Sequence, residues 1–97
     1  MRVNLDKKHY TKAERIFGEI LKKNHISFRA KVVIEGREID FLIGKNAIEI
    51  GNHPQNTLKN KHILEAGYSL FFITNIELYT NPELIEQRLL ANWLNKI

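Results

Sequence analysis

Apolar residues recur along this chain with two different periods. From about Thr11 to Asn24 they return at helical spacing. Ala13, Ile16, Phe17, Ile20 and Leu21 fall at i, i+3, i+4, i+7 and i+8 and form one stripe. Thr11 and Glu14 stand three apart, the capping-box spacing that marks a helix start. Lys22 and Lys23 suit the last turn, where the helix dipole favours cations. From Ser27 to Glu35 the period drops to two, with Phe28, Ala30, Val32 and Ile34 alternating with Arg29, Lys31, Val33 and Glu35. Gly36 predicts a turn. A second strand covers Glu38 to Ile43, Gly44-Lys45-Asn46 is a hairpin signal, and a third strand runs from Ala47 to Ile50 and stops at Gly51-Asn52.

Beyond this meander, His53-Pro54-Gln55-Asn56 reads as a loop. Thr57 to Ala66 reads as a short helix closed by Gly67 at the C′ position. Tyr68 to Thr74 is almost continuously apolar, the pattern of a strand covered on both faces. The last helix opens at Asn81-Pro82-Glu83, with Asn81 as cap and Pro82 at the first helical position. It continues through Leu84, Ile85, Leu89, Leu90 and Trp93. The order is αβββαβα. A strand, a helix and a strand in sequence predict a right-handed parallel crossover. The expected fold is therefore a four-stranded mixed sheet flanked by helices, in one domain spanning residues 1–97.

The second and third strands carry acids in an apolar setting, Ile-Asp-Phe-Leu-Ile and Ala-Ile-Glu-Ile. With Lys45 and Asn46 as the loop, Leu42 faces Glu49 and Asp40 faces Gly51. Alternation then puts Asp40, Leu42, Glu49 and Gly51 on one face, and Ile39, Phe41, Ile43, Ile48 and Ile50 on the core face. Asp40 and Glu49 become diagonal neighbours, their Cβ atoms roughly 7–8 Å apart. Two carboxylates so placed can converge on one hard cation. The plain alternative is a solvated sheet face with ordinary exposed acids. Glu14 lies about 90° from the centre of the helix stripe, at the border of the buried face. Its capping position accounts for it without any chemistry. His53 can act as an acid, a base or a phosphate contact, or stand exposed in its loop. His9, His25 and His62 have no supporting constellation.

Composition narrows the chemistry. The 97 residues suit one small domain, and 43% hydrophobic content allows a core. There are no cysteines, which excludes disulfides, thiolate metal sites and a cysteine nucleophile, and fits a reducing cytoplasm. No apolar run approaches the ~18 residues of a membrane span. The net charge of +4 is unevenly spread. Residues 1–31 hold nine Lys/Arg against three Asp/Glu, a net of +6, and the remainder holds six against eight, a net of −2. A clustered basic region is the footprint of a phosphate-backbone binder, or a solubilising face.

The motifs taken together resemble the PD-(D/E)XK nuclease superfamily, and more closely its Vsr-like branch of very-short-patch-repair and homing-endonuclease-like domains. The matching pieces are Thr11-Lys12-Ala13-Glu14, Ile39-Asp40-Phe41-Leu42-Ile43, Ala47-Ile48-Glu49-Ile50-Gly51-Asn52-His53, and Ile63-Leu64-Glu65-Ala66-Gly67-Tyr68 before Leu70-Phe71-Phe72-Ile73. They span roughly residues 11 to 90. The resemblance implies a restriction-endonuclease-like αβββαβ core and a DNA endonuclease. It implies that Asp40, Glu49 and the Ile50 backbone carbonyl hold Mg2+, with Mn2+ as substitute. Glu14 would sit beside the ion, and His53 would contact the scissile phosphate or relay a proton. Lys45, Lys59, Lys12 and Arg15 are the candidate DNA contacts. Gly51 stands where the superfamily carries a lysine, Asn52 departs from the branch's usual Asp-Gly, and Asn60 replaces an acid at the start of the second helix. These departures favour the alternative of a decayed nuclease fold acting as a DNA-binding or regulatory module. A third reading is a protein-interaction domain, with Trp93 at an interface or in the core. Recognition at this size suggests a homodimer or a larger nuclease assembly.

Overall fold

A computed structural model of the chain describes residues 5–52 and 57–93, and the side chains of these other than 57–59 and 92–93. The elements are α1 (Lys12–Lys23), β1 (Arg29–Ile34), β2 (Arg37–Ile43), β3 (Asn46–Gly51), α2 (Thr57–Glu65), β4 (Ser69–Thr74), α3 (Asn75–Thr80) and α4 (Pro82–Arg88). A π-helical turn, Leu89–Trp93, follows. The sheet order is β1-β2-β3-β4, antiparallel except for the parallel β3–β4 pair. This is the mixed sheet with flanking helices that the periodicity predicts.

Local chemistry explains the helix ends. The Glu14 N–H donates to Thr11 Oγ1 at 3.1 Å, and the Thr11 N–H donates to Glu14 Oε1 at 2.8 Å, completing the capping box. At the other end of α1, His25 takes a positive φ of 56°. The His25 and Ile26 N–H groups donate to the carbonyls of Lys22 and Leu21, which closes the helix in a Schellman motif. Gly67, at φ 94°, ends α2 in the same way. Asn81 caps α4 over Pro82 as expected. The helix α3 has no counterpart in the predicted order. It is opened by a second capping box, Thr74 with Glu77.

The two faces of the sheet bury separate clusters. Ala13, Phe17, Ile20 and Leu21 of α1 pack on Phe41, Ile43, Ile48 and Ile73, together with Leu78, Ile85 and Leu89. Phe41 lies at the centre, its ring 5.1 Å from Phe17 and 5.6 Å from Phe28. On the opposite face, Ile63 of α2 packs with Ile34, Ile39, Leu42 and Ala47. The strand β4 contributes to both clusters, through Phe71 and Ile73 on one side and Leu70 on the other. It nevertheless forms an edge of the sheet, not an interior strand.

Two sequence expectations change here. The hairpin turn is Gly44-Lys45, not Lys45-Asn46, so Leu42 pairs with Ala47 and Ile43 with Asn46. Gly44 takes a φ of 60°, which glycine alone adopts cheaply. Ile39 also leaves the face of Phe41 and Ile43 and joins the α2 cluster. Its partner Val32 packs there as well, whereas Ala30, opposite Phe41, packs under α1. Both strands therefore change face between these pairs, at Lys31 and Asp40. Lys31 has a φ of 55°, off the extended backbone that strict alternation requires.

Candidate functional site

The acids converge where α1 crosses the β1–β2–β3 meander. Glu14 is 6% exposed, the one charged residue in the buried class among those described. Its two oxygens have different tasks. Oε1 accepts the Thr11 N–H of the cap, and Oε2 accepts from Lys31 Nζ at 3.0 Å. The capping role and a site role thus belong to one side chain. Burial pushes the Glu14 carboxyl up, but the Thr11 N–H and the Lys31 ammonium outweigh it and hold the group below its usual range.

Asp40 and Glu49 enter from β2 and β3. The pairing of Phe41 with Ile48, continued by one step, sets Asp40 level with Glu49. The turn position shifts the register by two, which preserves parity. Asp40 and Glu49 are therefore level across the hairpin and not the expected diagonal neighbours, and because β2 changes face at Asp40, alternation does not fix the face of that side chain. The Ile50 N–H donates to Asp40 Oδ2 at 2.8 Å. Burial is the largest influence on Asp40 and pushes its carboxyl up. The Ile50 N–H opposes this, Glu49 and Glu14 reinforce it, and the outcome is a pKa of about 7.

Two cations that sequence reasoning did not assign to the site attend these acids. Lys31 Nζ lies 3.0 Å from Glu14 Oε2 and 3.7 Å from Asp40 Oδ1, and 5.3 Å from the centre of the Tyr10 ring. Glu14 and Asp40 keep this ammonium charged, raising its pKa against the effect of its partial burial. Arg37 Nη2 lies 3.0 Å from Glu49 Oε1, and its Nη1 donates to Asn60 Oδ1 at 2.6 Å. Asn60, where the resemblance expects an acid, thus ties α2 to the meander through Arg37. Simple alternation points Lys31 away from the core. The signal that finds it is the tight turn at Gly36, since pairing β1 with β2 around that turn brings Lys31 opposite Asp40.

The other candidates are placed as follows. Lys12 is exposed, with Nζ 5.5 Å from the Tyr79 ring centre. Arg15 lines a shallow groove along α1 with Lys12, Ile16, Glu19 and Lys23, a cavity of about 470 Å³. Lys45 is exposed on the hairpin turn, 4.7 Å from the Tyr68 ring centre. His53, and the side chains of Lys59 and Trp93, lie outside what the structure describes. No described helix is long and apolar enough to cross a membrane.

Among the described residues, no three acidic or histidine side chains already form a metal-ligand cluster. Glu14 is turned to Thr11 and Lys31, and Glu49 to Arg37. The donor chemistry still fits a hard divalent ion. Asp40 and Glu49, close enough for each carboxyl to feel the other, offer the oxygen ligands such an ion prefers.

No family model matches this sequence, and no curated protein matches it. Among solved structures, the catalytic domain of the homing endonuclease I-Bth0305I superposes with a TM-score of 0.74 and 28% sequence identity. The match covers 90% of this chain and 98% of that domain. The mixed sheet and its flanking helices are therefore a nuclease fold, matched by a homing endonuclease catalytic domain over almost that domain's whole length.

Proposed function

We propose that this protein is a metal-dependent DNA endonuclease of the Vsr-like type. The observation that carries the reading is the fold shared with a homing endonuclease catalytic domain, on which Asp40 of β2 lies within electrostatic reach of Glu49 of β3 and Glu14 of α1. Asp40 and Glu49, with the Ile50 backbone carbonyl, would hold Mg2+ or Mn2+. The ion, when bound, supplies Lewis acidity at the phosphoryl group and a more acidic bound water. Glu14 orients the site from α1. Its cap bond fixes the carboxyl group, so little ordering is left for the reaction itself. Arg37 holds Glu49 in place from the far side. His53 would contact the scissile phosphate or relay a proton. Lys12, Arg15, Lys45 and Lys59 would bind the DNA backbone, continuing the basic character of the first third of the chain.

The test is nicking of supercoiled plasmid in Mg2+ or Mn2+. Wild type cleaves, while Asp40→Ala and Glu49→Ala do not, and both variants keep their DNA affinity and fold. Equal nicking by all three proteins would overturn the reading. The engagement of Asn60 and Glu49 by Arg37 favours a second reading, a decayed nuclease fold that binds DNA without cutting it. Its mark is a salt-sensitive DNA complex with no metal binding by calorimetry.

A further inference from the structure

The backbone at Lys31 is the least ordinary part of the site. A lysine in the left-handed region is disfavoured, because its Cβ crowds the following carbonyl, and such residues gather where function requires them. Ala30 pairs with Phe41 and Val32 with Ile39, and the ladder is interrupted at Lys31 and Asp40 between them. The departure from extended geometry carries the lysine stem beside Tyr10 and sets its ammonium on Glu14 Oε2, within 3.7 Å of Asp40 Oδ1. The ammonium thus occupies the region that a cation shared by these carboxylates would take.

We propose that Lys31 is the resident counter-ion of the site, a tethered cation that competes with the divalent metal for Glu14 and Asp40 and is displaced when the metal enters. This rests on the reading of Asp40 and Glu49 as metal ligands. It makes Lys31 a positioning residue, acting through the acids. The second cation, Arg37, engages Glu49 and Asn60. Lys31 is the cation on Glu14 and Asp40.

Titration calorimetry of the full chain with MgCl2 and MnCl2 tests this without reference to cleavage. Lys31→Met removes the ammonium and keeps a side chain of similar length. Lys31→Gly removes it and also relaxes the backbone, which guards against a variant that fails to fold. Both are expected to bind the metals at least tenfold more tightly than wild type. Lys31→Arg, which keeps the charge, stays within threefold of wild type. Unchanged or weaker binding in both Lys31→Met and Lys31→Gly overturns the proposal. So does equal tightening in Lys31→Arg, because charge would then not be the cause. If wild type binds metal, Asp40→Asn does not, and Lys31→Gly matches wild type, the counter-ion role fails while the metal reading stands. If no variant binds either metal, both fall.

Discussion

Asp40→Asn should make the metal-free protein more stable at neutral pH, although it removes a residue central to the proposed chemistry. The folded carboxyl titrates near 7 against an ordinary value of 3.8. The folded chain therefore keeps a proton that the unfolded chain has released, over the interval from about pH 4 to about 7. The sign follows from linkage: Asp40 costs nothing below pH 4, and stability is lost as pH rises through that interval. The upper bound on the loss is about 4 kcal/mol, at about 1.4 kcal/mol per pH unit. The Asp40 side chain keeps 15% exposure and has Lys31 nearby. Screening and relaxation reduce the effect to about 2 kcal/mol. Asparagine can still accept the Ile50 N–H, and its amide can donate toward a neighbouring carboxylate. For a domain of this size, about 2 kcal/mol corresponds to a rise in Tm of roughly 8–16 °C. The assay is thermal unfolding of both proteins in EDTA at pH 8 and pH 4. The gain should be present at pH 8 and vanish at pH 4. Equal or lower stability of Asp40→Asn at pH 8, or a gain independent of pH, would refute the reasoning.

Thr11→Ala removes the hydroxyl that accepts the Glu14 N–H and should cost about 1 kcal/mol, read as a fall in the denaturant midpoint. The Arg37–Glu49 pair is 14% and 12% exposed. A double-mutant cycle of Arg37→Met and Glu49→Gln should show more than about 1 kcal/mol of coupling, since either single change strands a partly buried charge. Phe41→Ala empties the centre of the α1 cluster, where its side chain is fully buried. A loss of about 3–5 kcal/mol is expected, enough to leave the domain marginal in urea titration.

Much of this architecture is written in local pattern. The α1 stripe and its Thr11–Glu14 cap, the Gly67 helix stop and the Asn81-Pro82 start each depend on a few neighbouring residues, and each is found where the sequence places it. The helix α3 is only six residues long, too short for an apolar stripe, yet Thr74 and Glu77 repeat the spacing of Thr11 and Glu14 and could have revealed it. The Gly44-Lys45-Asn46 signal marked the hairpin but not its exact turn, which the positive φ of Gly44 sets one residue earlier than the expected Lys45-Asn46. The nearness of Asp40 and Glu49 across the hairpin was legible, because a two-residue shift of register still leaves them neighbours. The departure of Ile39 from alternation was not legible, and Lys31 was legible only through the Gly36 turn. Lys31 is left-handed where the strands change face, and strand alternation carries no trace of that.

The order of the strands has a kinetic consequence. The pairs β1–β2 and β2–β3 close through short turns, whereas β4 reaches β3 only after the whole of α2. Loop-closure entropy favours the meander first and the parallel strand last. Glu14, Asp40 and Glu49, with Lys31 and Arg37, all precede β4 in the chain. The charged centre can therefore be gathered while one side of β3 is still open to water, and docking of β4 becomes the late step of folding. Weakening the contact of Phe71 or Ile73 with the α1 cluster should then speed unfolding and leave the rate of folding nearly unchanged.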